Sequence, residues 1–444
     1  MLRSAKGVVN MAGPEQERQD QVFAKCAGRL IPFMMLLYVT NYLDRVNVGF
    51  AALTMNRDLD FSPTVYGFAA GIFFISYAMF QIPATVMLER LGARRTVFAI
   101  MAAWGALSAA TAWVHEPITF YVLRFLLGVA ESGFFPGIIL YLTFWFPREY
   151  RARFTATFML AIPLSSTFGG PLSGLILGLD GIWGFRGWQW LFLIEGLPAC
   201  LLAFAVLKFL PNGPADASFL SEAEKQTITR RLAGERVDAP PNLWAGLIDP
   251  RVLLLGLAGT GIGAGIFGSQ LWLPQIVKAM GYSNLITGCI AALPYMLAIP
   301  TMLLVGRSSD RHGERLWHTA IPLLVAATGF CIAAVAQSHL LAVAGLMITV
   351  AGLMGTYGPY YTQSSAFIRG PAAPGAIALV NLMCTGLGGF LGPNIIGLLK
   401  QWTGGYPAGM FALAGGLIFS VLLLFVLGRV MAARQQRLGQ TRRA

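Results

Sequence analysis

Residues 30–53 read LIPFMMLLYVTNYLDRVNVGFAAL. An apolar run of this length is a candidate membrane helix, since crossing a bilayer takes about 20 residues. Yet Asp44 and Arg45 stand side by side in its second half. A charge at the centre of a membrane helix costs about 2.5–3.5 kcal/mol on insertion scales, so ionisable residues there point to function.

The rest of the chain agrees with a membrane reading. Of 444 residues, 56% are hydrophobic and 12% charged, whereas a soluble domain carries about 25% charged residues. Twelve apolar runs lie near 30–53, 65–88, 96–114, 117–146, 154–178, 188–210, 251–280, 284–306, 317–336, 340–367, 374–399 and 406–431. They predict an all-α integral membrane protein with twelve transmembrane helices. About 28 polar residues precede the first run, so no cleavable secretory signal is expected.

Charge gives an orientation. With the N-terminus in the cytoplasm, 26 of the 32 Lys and Arg fall in cytoplasmic tails and loops; Arg57, Arg186, Lys278 and Lys400 fall outside, and Arg45 and Arg124 lie within the membrane. This is the positive-inside asymmetry, with both termini cytoplasmic. It accounts for the net charge of +12 without a nucleic-acid partner. A plasma membrane location, a bacterial inner membrane in particular, fits the absence of any N-x-[ST] sequon.

Residues 211–249 form the one long polar segment, opening PNGPADAS and closing DAPPN. Between them LSEAEKQTITRRLAGE reads as an amphipathic helix, with Ser221 and Glu224 spaced as a capping box. The chain therefore divides into a cytoplasmic tail (1–29), a first six-helix half (30–210), the linker (211–249), a second half (250–431) and a basic tail (432–444). Cys26, Cys200, Cys289, Cys331 and Cys384 are scattered without a CxxC, and His115, His312, His318 and His339 do not cluster. No metal, cofactor or nucleophile–base pair is expected, which argues against an enzyme. A transport-derived receptor would bring a large signalling domain, and none is visible.

The halves repeat. MLERLGARR (87–95) follows the second run and GRSSDRHGER (306–315) the eighth; aligning Gly92 with Gly313 gives an offset of 221. GGPLSG in the fifth run and LGPNIIG in the eleventh align Gly170 with Gly392, an offset of 222. Duplicated halves with a substrate site between them near mid-membrane are a transporter design.

GRSSDRHGER also resembles the G-x-x-x-D-R-x-G-x-R loop of the major facilitator superfamily, through Gly306, Asp310, Arg311, Gly313 and Arg315. The first copy is degenerate, with Thr85 and Glu89 in place of Gly and Asp. NYLDRVNVGFAA, RFLLGVAESGFFPG (124–137), LSEAEK and GGFLGP (388–393) are similar to the anion:cation symporter branch. The resemblance implies proton-driven symport of a small organic anion such as a sugar acid, hydroxy dicarboxylate or aromatic carboxylate. Exchange and uniport are the alternatives within transport. A monomer in the lipid bilayer is expected to suffice.

Four ionisable residues lie well inside the predicted spans: Asp44, Arg45, Arg124 and Glu131. The offset sets Ile266, Phe267, Gly345 and Gly352 near the corresponding places of the second half, so the scaffold is duplicated without its charges. Arg124 and Glu131, seven apart, share a face of one helix, while Asp44 and Arg45 diverge by about 100°. This predicts Asp44 in a proton-coupling network with Arg124 and Glu131, and Arg45 in the cavity. A guanidinium there suits bidentate carboxylate binding. Tyr42, Tyr77, Gln270, Asn381, Tyr361 and Gln363 are expected to complete the substrate site. The last pair lies in GPYYTQSSAF (358–367), where the branch typically has Trp in place of Tyr361 and apolar residues or Pro over Thr362–Ser364. Glu89, Arg90, Asp310 and Arg311 are expected to gate the cytoplasmic side by charge pairing at helix ends.

Overall fold

A computed structural model describes residues 14–234, 247–367 and 373–441. The first thirteen residues of the N-terminal tail, the DAPPN close of the linker and the last three residues lie outside the described residues, as does the side chain of Ser364. Among the described residues there is no strand. Twelve helices among these residues are long and apolar enough to cross a membrane: Glu17–Asp58, Pro63–Leu91, Ala93–Trp113, Pro117–Thr143, Ala161–Leu179, Gly187–Phe209, Pro250–Lys278, Asn284–His312, Leu316–Val335, His339–Gln363, Gly375–Thr403 and Pro407–Ala433. They are spans 1 to 12 below.

The helix ends follow from local chemistry. Span 2 starts where the Ser62 hydroxyl accepts from the Val65 N–H and Pro63 supplies a first-turn φ. Span 8 starts the same way, with Ser283 accepting from Ile286. Both stop at the glycines aligned by the repeat, Gly92 at φ 82° and Gly313 at φ 64°, a region that an L side chain rarely adopts. The duplication is therefore visible in the backbone as well as in the sequence.

Span 1 begins far before residue 30, for its helix runs from Pro14 to Asp58. Val22, Phe23, Cys26 and Leu30 recur at helical spacing and are buried, and Phe23 packs on Tyr150 with ring centroids 4.8 Å apart. That apolar stripe extends the helix beyond the hydrophobic run. In the linker, Glu222–Ala233 is a helix with both arms of the Ser221/Glu224 capping box formed, and Lys25 Nζ meets Glu224 Oε1 at 2.9 Å.

The first six spans meet the last six along paired glycine seams. A Cβ on Gly170 of span 5 would stand 2.5 Å from the Gly288 carbonyl oxygen of span 8. A Cβ on Gly67 of span 2 would stand 2.8 Å from the Pro393 carbonyl oxygen of span 11. Gly67 and Gly288 are 221 residues apart, so the two seams are repeats of one contact. Spans 2 and 7 close the same end, where Tyr66 Oη donates to the Leu271 carbonyl at 2.8 Å. That end carries the turns Asp58–Pro63 and Lys278–Asn284. Twelve crossings place it opposite both termini, and it is the distal end below.

Candidate functional site

The two charges of the opening stretch point apart, in the reverse sense of the expectation. Arg45 Nη2 and Nε donate to Glu131 Oε2 at 2.9 and 3.2 Å. Asn41, one turn earlier on span 1, donates to the same oxygen at 3.0 Å and accepts from Arg45 Nη2 at 3.4 Å. Asp44 instead faces span 3, accepting from Trp104 Nε1 at 2.7 Å, Ser108 Oγ at 2.5 Å and Asn47 Nδ2 at 2.9 Å. The predicted Asp44–Arg124–Glu131 network is thus corrected to an Arg45–Glu131 pair. The roughly 100° between neighbours was right, but donors on span 3 decide which of them turns which way.

Arg124 is 1% exposed. Its Nε donates to the Ala69 carbonyl at 3.3 Å, while Nη1 and Nη2 have no hydrogen-bond partner among the described residues. Its guanidinium carbon lies 4.8 Å from the Phe73 ring centroid, and that of Arg45 lies 5.6 Å from the same ring. Glu131 Oε1 is also buried and unpartnered. Two guanidiniums therefore flank one aromatic ring, with a single carboxylate bound to one of them. Leaving a buried charge unpaired is costly, so an anion placed beside Arg124 would be stabilised there.

Local backbone places these groups. The first helix of span 4 ends at Glu131, and a turn at Ser132–Gly133 precedes its resumption at Phe134. One turn before Glu131, a Cβ on Gly128 would meet Ser76 Oγ at 2.1 Å, so glycine lets span 4 lie against span 2. In span 11, Asn381 leads into a π-helical stretch, Leu382–Gly388, a form common at functional sites.

The expected polar residues divide into three groups. Tyr77 and Tyr42 face Arg45, whose guanidinium carbon is 4.7 and 5.8 Å from their ring centroids. Gln270 of span 7 donates to Tyr42 Oη at 2.7 Å, tying the halves beside Arg45. Asn381 accepts from Thr385 at 2.9 Å and from Tyr361 at 3.4 Å, and it donates to Gln81 of span 2 at 2.7 Å. Gln363 is elsewhere: it donates to Thr319 Oγ1 at 2.7 Å and the Arg315 carbonyl at 3.2 Å, fixing the start of span 9. Its placement in the substrate cavity is corrected accordingly; the acceptors at a neighbouring helix end capture it.

Of the four gate residues, Asp310 makes an ion pair, with Arg315 at 2.7 Å inside its own loop. Glu89, Arg90 and Arg311 are exposed and make no ion pair among the described residues. Two contributors were missed. Gln81 shows no charge or aromatic ring to attract notice. Glu195, however, lies in span 6, is 6% exposed, accepts from Ser173 Oγ at 3.0 Å and has Oε2 unpartnered. A carboxylate eight residues inside a span was legible by the same rule that found Glu131, so the count of four intramembrane charges is corrected to include it.

The profile of the Major Facilitator Superfamily matches residues 34–393. A protein of Agrobacterium vitis provisionally named a tartrate transporter is 45% identical over 414 residues, covering 93% of this chain and 92% of that one. A quinolone resistance transporter of Acinetobacter baumannii is 37% identical over 413 residues, covering 92% and 95%. Among solved structures, a bacterial homologue of the human lysosomal transporter Spinster superposes with a TM-score of 0.74 at 17% identity, over 94% of this chain and 98% of that one; that likeness concerns the fold. The molecule is a multi-pass membrane transporter rather than an enzyme. With the profile spanning most of its length and relatives this similar, the chain belongs to the Major Facilitator Superfamily.

Proposed function

We propose that this transporter moves a small organic anion together with a proton, by alternating access between its two halves. The observation that carries the reading is the buried Arg45–Glu131 pair beside the unpaired Arg124. Among the described residues Arg45 Nη1 has no acceptor, and its ring neighbours Tyr77 and Tyr42 form a wall beside it. A substrate carboxylate competes with Glu131 for this guanidinium, whose planar fork suits bidentate binding. A proton on Glu131 releases Arg45 to the substrate, so a monocarboxylate and its proton enter as one neutral load. Arg124 then holds a second carboxylate of the substrate, where it has one. Asp44, satisfied by three donors, fits a positioning role better than an exchanging one.

The closed distal seams support the reading that this is one end state of the cycle. With the termini in the cytoplasm, as the charge asymmetry favours, it is the inward-facing state. Gln270–Tyr42 and Asn381–Gln81 are the cross-half hydrogen bonds that a substrate would replace or reinforce.

The relatives' names differ in substrate, so the anion class rests on the guanidiniums and gains support from the tartrate name. The test is uptake into proteoliposomes of labelled sugar acids, tartrate and aromatic carboxylates under an inward proton gradient. Accumulation that collapses with a protonophore is expected. Uptake indifferent to the gradient would mean exchange or uniport.

A further inference from the structure

A second concentration of charge lies away from the Arg45–Glu131 pair, at the distal end. A cavity of about 390 Å³ opens there between the halves. Asn56 and Arg57 at the end of span 1 line one wall; Gln275 and Lys278 of span 7, Lys400 of span 11 and Tyr406 line the other. Its volume falls in the range of small-molecule sites, about 300–1,000 Å³. No carboxylate is among the lining residues. Arg57 and Lys278 also line an adjoining cavity of about 240 Å³, where Asp58 and Asp180 lie and Asp58 stands 3.5 Å from Arg57.

Two observations make this more than a basic surface. The side of the membrane opposite the termini holds four Lys and Arg by the charge count, and three of them, Arg57, Lys278 and Lys400, converge on this one cavity. A positive-inside bias thins such residues from that side, so their convergence is the reverse of a background scatter. Asn56 Nδ2 donates to Gln275 Oε1 at 3.5 Å, while Nε2 of Gln275, 7% exposed, and Oδ1 of Asn56 have no hydrogen-bond partner among the described residues. Buried polar groups are normally satisfied, and a bound anion supplies the acceptor that Gln275 lacks.

The cations are held ready. Lys400 Nζ donates to Tyr406 Oη at 2.7 Å, and Lys278 Nζ to the Tyr282 carbonyl at 2.9 Å. An ammonium has three donors, and one is used in each case. The Arg57 side chain is 83% exposed, with Asp58 at 3.5 Å. We propose that Arg57, Lys278, Lys400 and Gln275 form an anion-capture site at the distal mouth, taking a small soluble carboxylate or sulfonate. Its walls come from both halves, so opening the glycine seams splits the site and releases the anion toward the interior.

The test uses Ala279→Cys, on the exposed rim of the cavity, in intact cells with membrane-impermeant reagents. The unsubstituted protein, with its five cysteines, gives the blank. The anionic sulfonatoethyl methanethiosulfonate is expected to react at least about tenfold faster than the cationic trimethylammonioethyl reagent, relative to a free thiol, as charge-lined clefts concentrate counter-ions. Arg57→Gln with Lys278→Gln and Lys400→Gln should abolish that preference, and exposed Arg57→Gln alone should reduce it without threatening the fold. Millimolar tartrate should slow the anionic reagent. Equal rates, no labelling from outside, or preference without protection would each overturn the site. Reconstitution in phosphatidylcholine with and without phosphatidylglycerol separates a soluble anion from a lipid headgroup; protection by the lipid alone would also overturn it. Labelling needs no transport, so the result is independent of the proton-coupling reading.

Discussion

Arg45 of span 1 and Glu131 of span 4 are joined at 2.9 Å through Nη2 and Oε2, with Asn41 donating to the same oxygen. One carboxylate oxygen thus collects every donor, while Oε1 faces none. The pair is tight on one side and open on the other, and the first predictions concern it.

Replacing Arg45 with Ala leaves a buried carboxylate without its cation, a change that costs about 3–5 kcal/mol when one partner of such a pair is removed. Arg45→Ala should lose measurable tartrate binding in a titration against the purified protein, and Arg45→Lys should not restore it, since a point charge cannot form the bidentate fork. Unchanged affinity in Arg45→Ala would remove this guanidinium from the substrate site.

Asp44 accepts from Trp104, Ser108 and Asn47. Asp44→Asn should keep gradient-driven accumulation within about threefold of native, while Asp44→Ala should lower thermal stability by about 1–3 kcal/mol through unsatisfied donors. Loss of accumulation in Asp44→Asn with exchange intact would return the coupling role to Asp44.

Ala at Gly170 sets a methyl 2.5 Å from the Gly288 carbonyl oxygen. Overpacking costs about 1–3 kcal/mol, here only in the state with the distal seam closed. The equilibrium should shift about 5- to 150-fold toward the distally open state, read as faster labelling of seam cysteines from outside. Gly288→Ala should behave alike; unchanged labelling in both would mean that the seam does not move.

The linker helix gives a pH dependence outside the membrane. The Ser221 backbone N–H and then the Lys25 ammonium hold the Glu224 carboxyl below its ordinary value. A carboxyl lowered by folding adds stability above its unfolded value of about 4.3, and that contribution disappears as pH falls through the lowered one. Hydrogen exchange in Glu222–Ala233 should therefore quicken below about pH 4, and Glu224→Gln should flatten the dependence. An equal pH response in that variant would place its origin elsewhere.

Much of the fold was legible because membrane helices announce themselves by run length, and the duplication by Gly92 and Gly313, whose left-handed φ values demand glycine in both copies. The site was legible in composition and less so in pairing. Arg45, Glu131, Tyr42 and Tyr77 come together because span 4 presents Glu131 to span 1. Which of Asp44 and Arg45 meets it depends on Trp104 and Ser108, some 60 residues away, and no helical wheel contains them. Gln363 went astray for the same reason, its partner Thr319 lying 44 residues earlier. Glu195 was readable and passed over.

The measurement that tests the central claim most directly is transport by Glu131→Gln in proteoliposomes, comparing tartrate counterflow with uphill uptake under an inward proton gradient. Gln keeps the shape and hydrogen bonding near Arg45 but holds no exchangeable proton. The account predicts counterflow near the native rate and loss of gradient-driven accumulation. Normal accumulation by Glu131→Gln would contradict it and reduce the Arg45–Glu131 pair to a structural tie between spans 1 and 4.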